Sequence, residues 1–383
     1  MDVVFFPRND YPNNIEICNH RLGKKMTYCE TTSMIPYLVA KVLLPYVVSL
    51  NPTAKIRVGA YFDSDGNGTT RPSSSYLGPD VMAQIDANVI WPDLYFYPSP
   101  YSDNTEEGAL RGASILIPWF IEKFERKPNM FDFSAGVMSY KQYVAHLTLG
   151  CDSSSIDRNK TDYGVGVGNP NNVPYTQSRY YPRYLNARVL DSGRLNNEDY
   201  ATYINDVAEL IDTTLALPNG GLIVNFHHWH DLLYLDYERY PDENGNPVPI
   251  AGRNDYAIEN GFKPYFNMLA QKNSNDEIYF AGFGEAVAYL VYRQCITKAH
   301  MYSPNKHANE QLIIRLEVPN SLNIDTDMLS VPISVKFSTV GTPLENQSIK
   351  CDACNLVSLG SNQYIVEIPY SEYAGAVIEK LTT

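Results

Sequence analysis

No stretch of this 383-residue chain approaches the roughly 18 uncharged apolar residues that a membrane-spanning helix needs. The longest candidate, IPYLVAKVLLPYVVSL (35–50), is broken by Lys41 and Pro45, and it lacks the charged start and small-residue cleavage site of a signal peptide. Membrane insertion is not expected. Basic residues are scarce as well: 30 Lys and Arg face 43 Asp and Glu, a net charge of −13, with no Lys/Arg stripe to offset it. Such a surface repels phosphate backbones, so nucleic acid is not the expected partner. The six cysteines (Cys18, Cys29, Cys151, Cys295, Cys351 and Cys354) are too few and too irregularly spaced for a disulfide framework. Only Cys351-x-x-Cys354 is close. A zinc ribbon needs a second such pair and a thioredoxin site needs a βαβ setting, so two strand or turn cysteines, open to pairing, are expected. Gly (23) and Pro (25) are about average, which excludes collagen and wholesale disorder. What the chain has in plenty is tyrosine, 30 of them. A rigid ring with a polar tip suits contact surfaces and sugar-facing clefts as well as core walls.

The length suggests two domains, and the pattern changes near residue 305. Downstream, LIIRLEV (312–318), VPISVKF (331–337) and YIVEIPY (364–370) alternate with period two between Asn, Gly and Ser clusters, which predicts a small β-sandwich over 306–383. Upstream, over 1–305, strand-like and helix-like segments alternate. KIRVGAYF (55–62), GLIVNFHH (221–228) and EIYFAGF (277–283) read as strands. LGPDVMAQIDANVI (77–90), ALRGASILIPWFIEKFER (109–126, disturbed at Pro118), NEDYATYINDVAELIDTTLAL (197–217), 256–271 and 285–297 read as helices. Repeated strand–helix units predict an α/β barrel or layered sheet with GLIVNFHH buried on both faces. The exception is 157–184, which mixes Asn, Gly, Pro, Arg and Tyr without an apolar period and reads as a binding loop or a covering Ω-loop.

Chemistry concentrates at two strand ends. His227, His228, His230 and Asp231, with Trp229 among them, lie where GLIVNFHH ends, and ligands collect at the carboxyl ends of strands in α/β folds. A general acid/base or a metal ligand is one reading; a loop held by imidazole–backbone hydrogen bonds is the other. Asp63, Asp65 and Asn67 follow KIRVGAYF and open like a calcium loop, but Ser74 stands where its closing Glu is needed. A cation site, an acid/base pair and a plain Asp/Gly/Asn turn stay open there. Glu285 opens a helix, where the dipole favours a carboxylate, and it is also a candidate for the same cleft. In the long loop, Tyr180, Tyr181 and Arg183 suit sugar stacking and forked hydrogen bonds.

With these pieces in order, 131–294 resembles the polysaccharide deacetylase family of carbohydrate esterases. FDFSAGVMSYKQYVAHLTLGCDSS (131–154), GGLIVNFHHWHD (220–231) and DEIYFAGFGEAVAYLVYRQ (276–294) are similar to successive motifs of that family, although Ser134 stands where the first has proline. The resemblance implies a distorted (β/α) barrel of the deacetylase type. It also implies a metal such as zinc on one Asp and two His, and a second Asp as base against an acetyl group. Carried over, Asp63 is the base, Asp65 a metal ligand and His227 or His228 the general acid, with His230 as a further metal ligand. Calcium at Asp63, Asp65 and Asn67 is the weaker option. The family's metal histidines are missing from 94–103, and His20 resembles half of that pair only if strand order has changed.

Two functions are therefore expected: a carbohydrate deacetylase-like hydrolase acting on an acetylated polysaccharide, or a non-catalytic glycan-binding or structural module of a phage tail or surface adhesion assembly. Either implies a glycan partner, with Tyr180, Tyr181, Arg183, Trp229, Asp231 and Glu285 as its contacts; the sequence names no compartment, and a cell-surface, extracellular or virion setting is compatible with both.

Overall fold

The computed structural model describes residues 9–32, 35–62, 76–96, 106–133, 153–155, 187–191, 199–304, 311–318 and 331–381. The chain opens with two short strands, β1 (Asn9–Asp10) and β2 (Ile15–Ile17). There follow β3 (Met26–Thr32), α1 (Leu44–Ala54), β4 (Val58–Phe62), α2 (Pro79–Asp86), β5 (Ile90–Phe96), α3 (Glu106–Phe124), β6 (Met130–Phe133), β7 (Ser153–Ser155) and β8 (Ala187–Asp191). Next come α4 (Tyr200–Leu215), β9 (Leu222–His227), α5 (Trp229–Leu233), α6 (Lys263–Lys272), β10 (Ile278–Phe280) and α7 (Phe283–Cys295). The rest is β11 (Lys298–Ser303), β12 (Gln311–Glu317), β13 (Ile333–Ser338), β14 (Ile349–Lys350), β15 (Asn355–Gly360), β16 (Gln363–Ile368) and β17 (Ala376–Lys380).

Two compact units result, Lys25–Val287 and a second made of Met1–Lys24 with Ala288–Thr383. The expected boundary at 305 is thus displaced, and the reason is strand pairing. β11 and β12 form an antiparallel ladder from Lys298↔Glu317 to Tyr302↔Ile313, so strands on both sides of the expected boundary belong to one sheet. β1 pairs with β11 and β2 with β13, which ties the amino-terminal residues to strands some 300 positions away. This unit holds two antiparallel sheets, β1-β11-β12-β17-β14 and β15-β16-β13-β2. Alternation decides which face is inside: Leu312, Ile314 and Leu316 are buried on β12, and Ile333, Val335 and Phe337 on β13.

The larger unit is an α/β layer. Its eight strands run parallel in the order β7-β6-β5-β4-β3-β9-β8, with β10 also beside β3. β3 is central. β9 runs along one of its edges, while the other edge is shared by β10 over Met26–Tyr28 and β4 over Glu30–Thr32. All seven residues of β3 are buried, as expected for a parallel strand covered on both sides. The apolar stripe of α4 (Tyr203, Val207, Ile211) packs with Leu43 and Val47 and with Tyr265, Phe266 and Leu269 of α6 against Met26, Tyr28, Ile223 and Ile278 of the sheet. Burial of each such side chain contributes about 1.5–3 kcal/mol.

Prolines are accommodated rather than used as stops. Pro118 lies inside α3 with its ring on the solvent side, while Leu116, Ile117 and Phe120 hold the helix to the core. Two widened π turns, Val39–Leu43 and Ile258–Phe262, sit immediately before Pro45 and Pro264. A proline ring clashes with the carbonyl four residues back, and the wider turn moves that carbonyl away. No helix among the described residues is long and apolar enough to cross a membrane.

The pairing makes a specific prediction. A protease site engineered within 305–310 and then cut should leave two fragments that co-elute natively and part only in denaturant, because the β11–β12 ladder survives the nick. Two pieces that elute separately without denaturant would contradict it.

Candidate functional site

β3 and β9 lie side by side with Glu30 opposite Asn225 and Thr32 opposite His227, so their carboxyl ends form one ledge. Glu30 has no solvent exposure, and a bare carboxylate there would cost several kcal/mol. Its partners come from three elements, β9, α5 and α6. Oε1 faces Nδ1 of His227 and receives the Trp229 indole N–H at 3.3 Å. Oε2 accepts from the Tyr265 hydroxyl and, at 3.5 Å, from the Asn225 amide. Asn225 also donates to Tyr265 at 2.6 Å and to Tyr28 at 3.2 Å, while its own Oδ1 accepts from the Tyr203 hydroxyl at 2.8 Å. That hydroxyl lies 2.7 Å from Nε2 of His227. Burial, and next the Glu30 charge, push the Tyr28 and Tyr265 hydroxyls well above their usual range, so both keep their protons and can donate.

Beyond His227 the chain turns into α5. His228 and His230 stack with ring centroids 5.2 Å apart and planes at 21°. Asp231 lies beneath them, 3.3 Å from Nδ1 of His228 and 3.4 Å from Nε2 of His230. The hydrogen bond from His228 holds the Asp231 carboxyl below the usual carboxylate range. One ligand atom from each of these residues lies within 4.8 Å of the others, the one such group of three His, Cys, Asp or Glu ligands among the described residues. His228 and Asp231 are half-exposed, whereas His230 is mostly covered, and burial pulls its imidazole down to about 4. It is therefore neutral at pH 7, and its buried Nδ1 has no hydrogen-bond partner. Neutral imidazole lone pairs beside a carboxylate are a donor set suited to zinc or a similar transition metal. The residues present fit such an ion.

The sequence candidates separate accordingly. His228, His230 and Asp231 come together at the ledge. His227, expected as a general acid, is 2% exposed with both ring nitrogens engaged, so it acts as a buried support. Trp229, expected to contact glycan, is also 2% exposed and packs edge-on against Phe262 and Phe266, out of reach of a sugar ring. Glu285, expected in the same cleft, is fully buried and already bound by Arg57 at 2.5 Å, the Tyr279 hydroxyl at 2.7 Å and the Gly282 N–H at 3.2 Å. It belongs to a structural cluster in which Asp93 accepts the Gly284 N–H and Arg126 lies 4.2 Å above the Trp91 ring. A Cβ on Gly284 would stand 2.3 Å from an Asp93 oxygen, so only glycine fits there. Asp63, Asp65, Asn67, Tyr180, Tyr181, Arg183 and the rest of 157–184 lie outside the described residues. His20 is buried in the amino- and carboxyl-terminal unit. Glu30, Asn225 and Tyr265 were not singled out from the sequence; the one signal was a lone Glu inside MTYCETT.

No protein-family model matches the chain, and no curated protein matches it in sequence. Solved structures are similar to it in part. A family 4 carbohydrate esterase from Streptomyces lividans in complex with acetate is 12% identical over 67% of this chain and 90% of that one, with a TM-score of 0.35. A proposed glycoside hydrolase/deacetylase from Parabacteroides distasonis is 12% identical over 82% and 80%, with a TM-score of 0.43. A 4-alpha-glucanotransferase from Thermococcus litoralis is 12% identical over 69% and 40%, with a TM-score of 0.41. Likeness at this level assigns neither a family nor the role of any residue.

Two measurements check the site. Glu30→Ala strands His227, Trp229 and Tyr265 and should cost about 3–5 kcal/mol in urea unfolding. Tyr265→Phe should cost less in that background than alone, since both act on one network; a loss under about 1 kcal/mol for Glu30→Ala would show the network to be dispensable. For His230, a folded-state value below the unfolded one means stability falls as pH drops through about 6.5 and stops falling near 4. NMR of the metal-free protein should show its ring titrating near 4; a midpoint near the ordinary value would contradict the burial argument.

Proposed function

We propose that the chain is a metal-dependent hydrolase of acylated glycans, with the ion held by His228, His230 and Asp231. The observation that carries this reading is the convergence of three ligand atoms within 4.8 Å immediately after the carboxyl end of a parallel strand. When bound, such an ion polarises an acyl carbonyl and makes water a stronger nucleophile. The chain's own residues do the rest. The Glu30 network supports the end of β9, His230 offers an imidazole that needs no deprotonation at neutral pH, and His228 is exposed to solvent. Asp63 and Asp65 follow Phe62 of β4 in sequence, and β4 is the neighbour of β3 in the sheet. In this reading Asp63 serves as the base and Asp65 as an additional carboxylate for the ion. The motif resemblance over 131–294 supplies the substrate class, an acetylated polysaccharide.

The test pairs turnover with metal content on the full chain. Zinc-loaded protein should release acetate from acetylated chito-oligosaccharide or xylan. His228→Ala/His230→Ala should abolish the release and bring bound zinc below 0.1 equivalent, roughly a tenfold loss. Acetate release that survives complete metal removal would overturn the proposal. Glycan binding with no release from zinc-loaded protein would do so too, in favour of a non-catalytic glycan-binding module.

A further inference from the structure

A cleft on the smaller unit takes no part in the hydrolase reading. It has a volume of about 680 Å³, within the roughly 300–1,000 Å³ usual for small-molecule pockets. Its walls are Thr297 just before β11, Arg315 and Glu317 of β12, and Tyr370, Ser371 and Tyr373 at the turn between β16 and β17. Backbone groups fix the frame. The Glu317 carbonyl accepts from the N–H and the hydroxyl of Thr297 at 2.9 and 3.1 Å, and the Leu316 N–H donates to the Tyr373 carbonyl at 2.9 Å.

Strand alternation puts Arg315 and Glu317 on the face of β12 opposite buried Leu312, Ile314 and Leu316. Across the ladder His300 stands opposite Arg315 and Lys298 opposite Glu317, so this stretch carries three basic side chains against one carboxylate. That carboxylate lies 2.9 Å from Nε2 of His300, near enough for an ion pair though not aligned for a hydrogen bond. The Arg315 guanidinium has no ion pair or hydrogen bond among the described residues, and the hydroxyls of Tyr370 and Ser371 have none either. Arg315 and Ser371 are exposed and Tyr370 is half-buried. Tyr373, only 7% exposed, backs Tyr370 with ring centroids 5.0 Å apart and planes at 59°.

We propose that this cleft binds a hexuronate, the acid sugar of uronic-acid-containing glycans. A planar guanidinium with all its donors open matches a carboxylate in a two-pronged pair. The Tyr370 ring offers a face to the apolar side of a sugar ring. The hydroxyls of Tyr370 and Ser371 and the carboxylate of Glu317 exchange hydrogen bonds with the sugar hydroxyls. A neutral sugar would leave Arg315 unmatched, and a bare carboxylic acid would leave the aromatic wall and both hydroxyls unused. The net charge of −13 works against an anion, so the local excess of Lys298, His300 and Arg315 decides where one settles, and added salt weakens the contact. None of these residues belongs to the group proposed to hold the metal, so this site stands apart from the hydrolase reading.

The experiment is saturation-transfer NMR with equilibrium titration of the full chain against sodium glucuronate, glucose and acetate at low salt. Glucuronate should bind about tenfold or more tighter than glucose or acetate, the factor expected for a hydrogen bond to a charged group. Transfer should be strongest at the ring hydrogens that face Tyr370. Arg315→Gln should weaken binding about tenfold and Tyr370→Ala several-fold, with Tm nearly unchanged in both because neither side chain is buried. Binding should persist in His228→Ala/His230→Ala. No transfer to glucuronate, or an unchanged affinity in Arg315→Gln, would overturn the proposal. So would glucose bound as tightly as glucuronate, which would show that no carboxylate is read, or acetate bound as tightly, which would show a bare anion contact. Loss in the histidine variant alone would place the ligand at the histidine group and overturn it too.

Discussion

A carboxylate placed between two parallel strands, out of reach of water, must be matched on every lone pair, and Glu30 sets that requirement for the larger unit. Meeting it brings His227 from β9, Trp229 from α5, Tyr265 from α6 and, through Asn225, Tyr203 from α4 to one point. Each of these side chains fixes its own element. The end of β9 is held by the two hydrogen bonds of His227, and the first turn of α5 is anchored by Trp229 against Phe262 and Phe266. His228, His230 and Asp231 occupy the positions left by those anchors. The exposed ligand group therefore rests on a dry polar network, the arrangement that holds a site to geometry better than a free loop does.

A second buried ionic cluster, Arg57–Glu285 with Asp93 and Arg126, is built differently. Its cations lie over aromatic faces, Arg126 on Trp91 and Phe120, and Arg57 on Trp91 and Tyr279. Its carboxylates are closed off by backbone N–H groups of the Gly282–Gly284 turn. Burial lowers the Arg126 guanidinium, while Asp93 and Glu285 pull it back up. Its carboxylates are engaged by Arg57, Tyr279 and the N–H groups of the turn, and among the described residues its one partnerless buried atom, Nε1 of Trp91, is an N–H with no lone pair to offer. The His228–Asp231 group differs because its partnerless buried atom, Nδ1 of His230, can serve as a metal ligand.

Much of the α/β unit was legible in the sequence because periodicity reports burial directly. GLIVNFHH is continuous and apolar because β9 is covered on both faces, and the stripe on α4 follows from its single buried side. β3 escaped because Thr27, Glu30, Thr31 and Thr32 make a central strand look polar; the Glu30 carboxylate is compensated by partners distant in sequence, which no local pattern reveals. Pro118 was read as a disturbance, yet three apolar neighbours outweigh one missing hydrogen bond. The pairing of β1 and β2 with β11 and β13 leaves no local trace, so the boundary was placed too late. The histidine group was legible from its place at a strand end, but which imidazole faces inward depends on Glu30, and no spacing rule carries that.

The claim on which the functional account turns is the identity of the metal ligands. X-ray absorption on the zinc-loaded full chain measures this directly. The account predicts a nitrogen/oxygen first shell with two imidazoles and no sulfur, and loss of that signature in His228→Ala/His230→Ala. A shell containing sulfur, fewer than two imidazoles, or a signature unchanged in the double variant would contradict it.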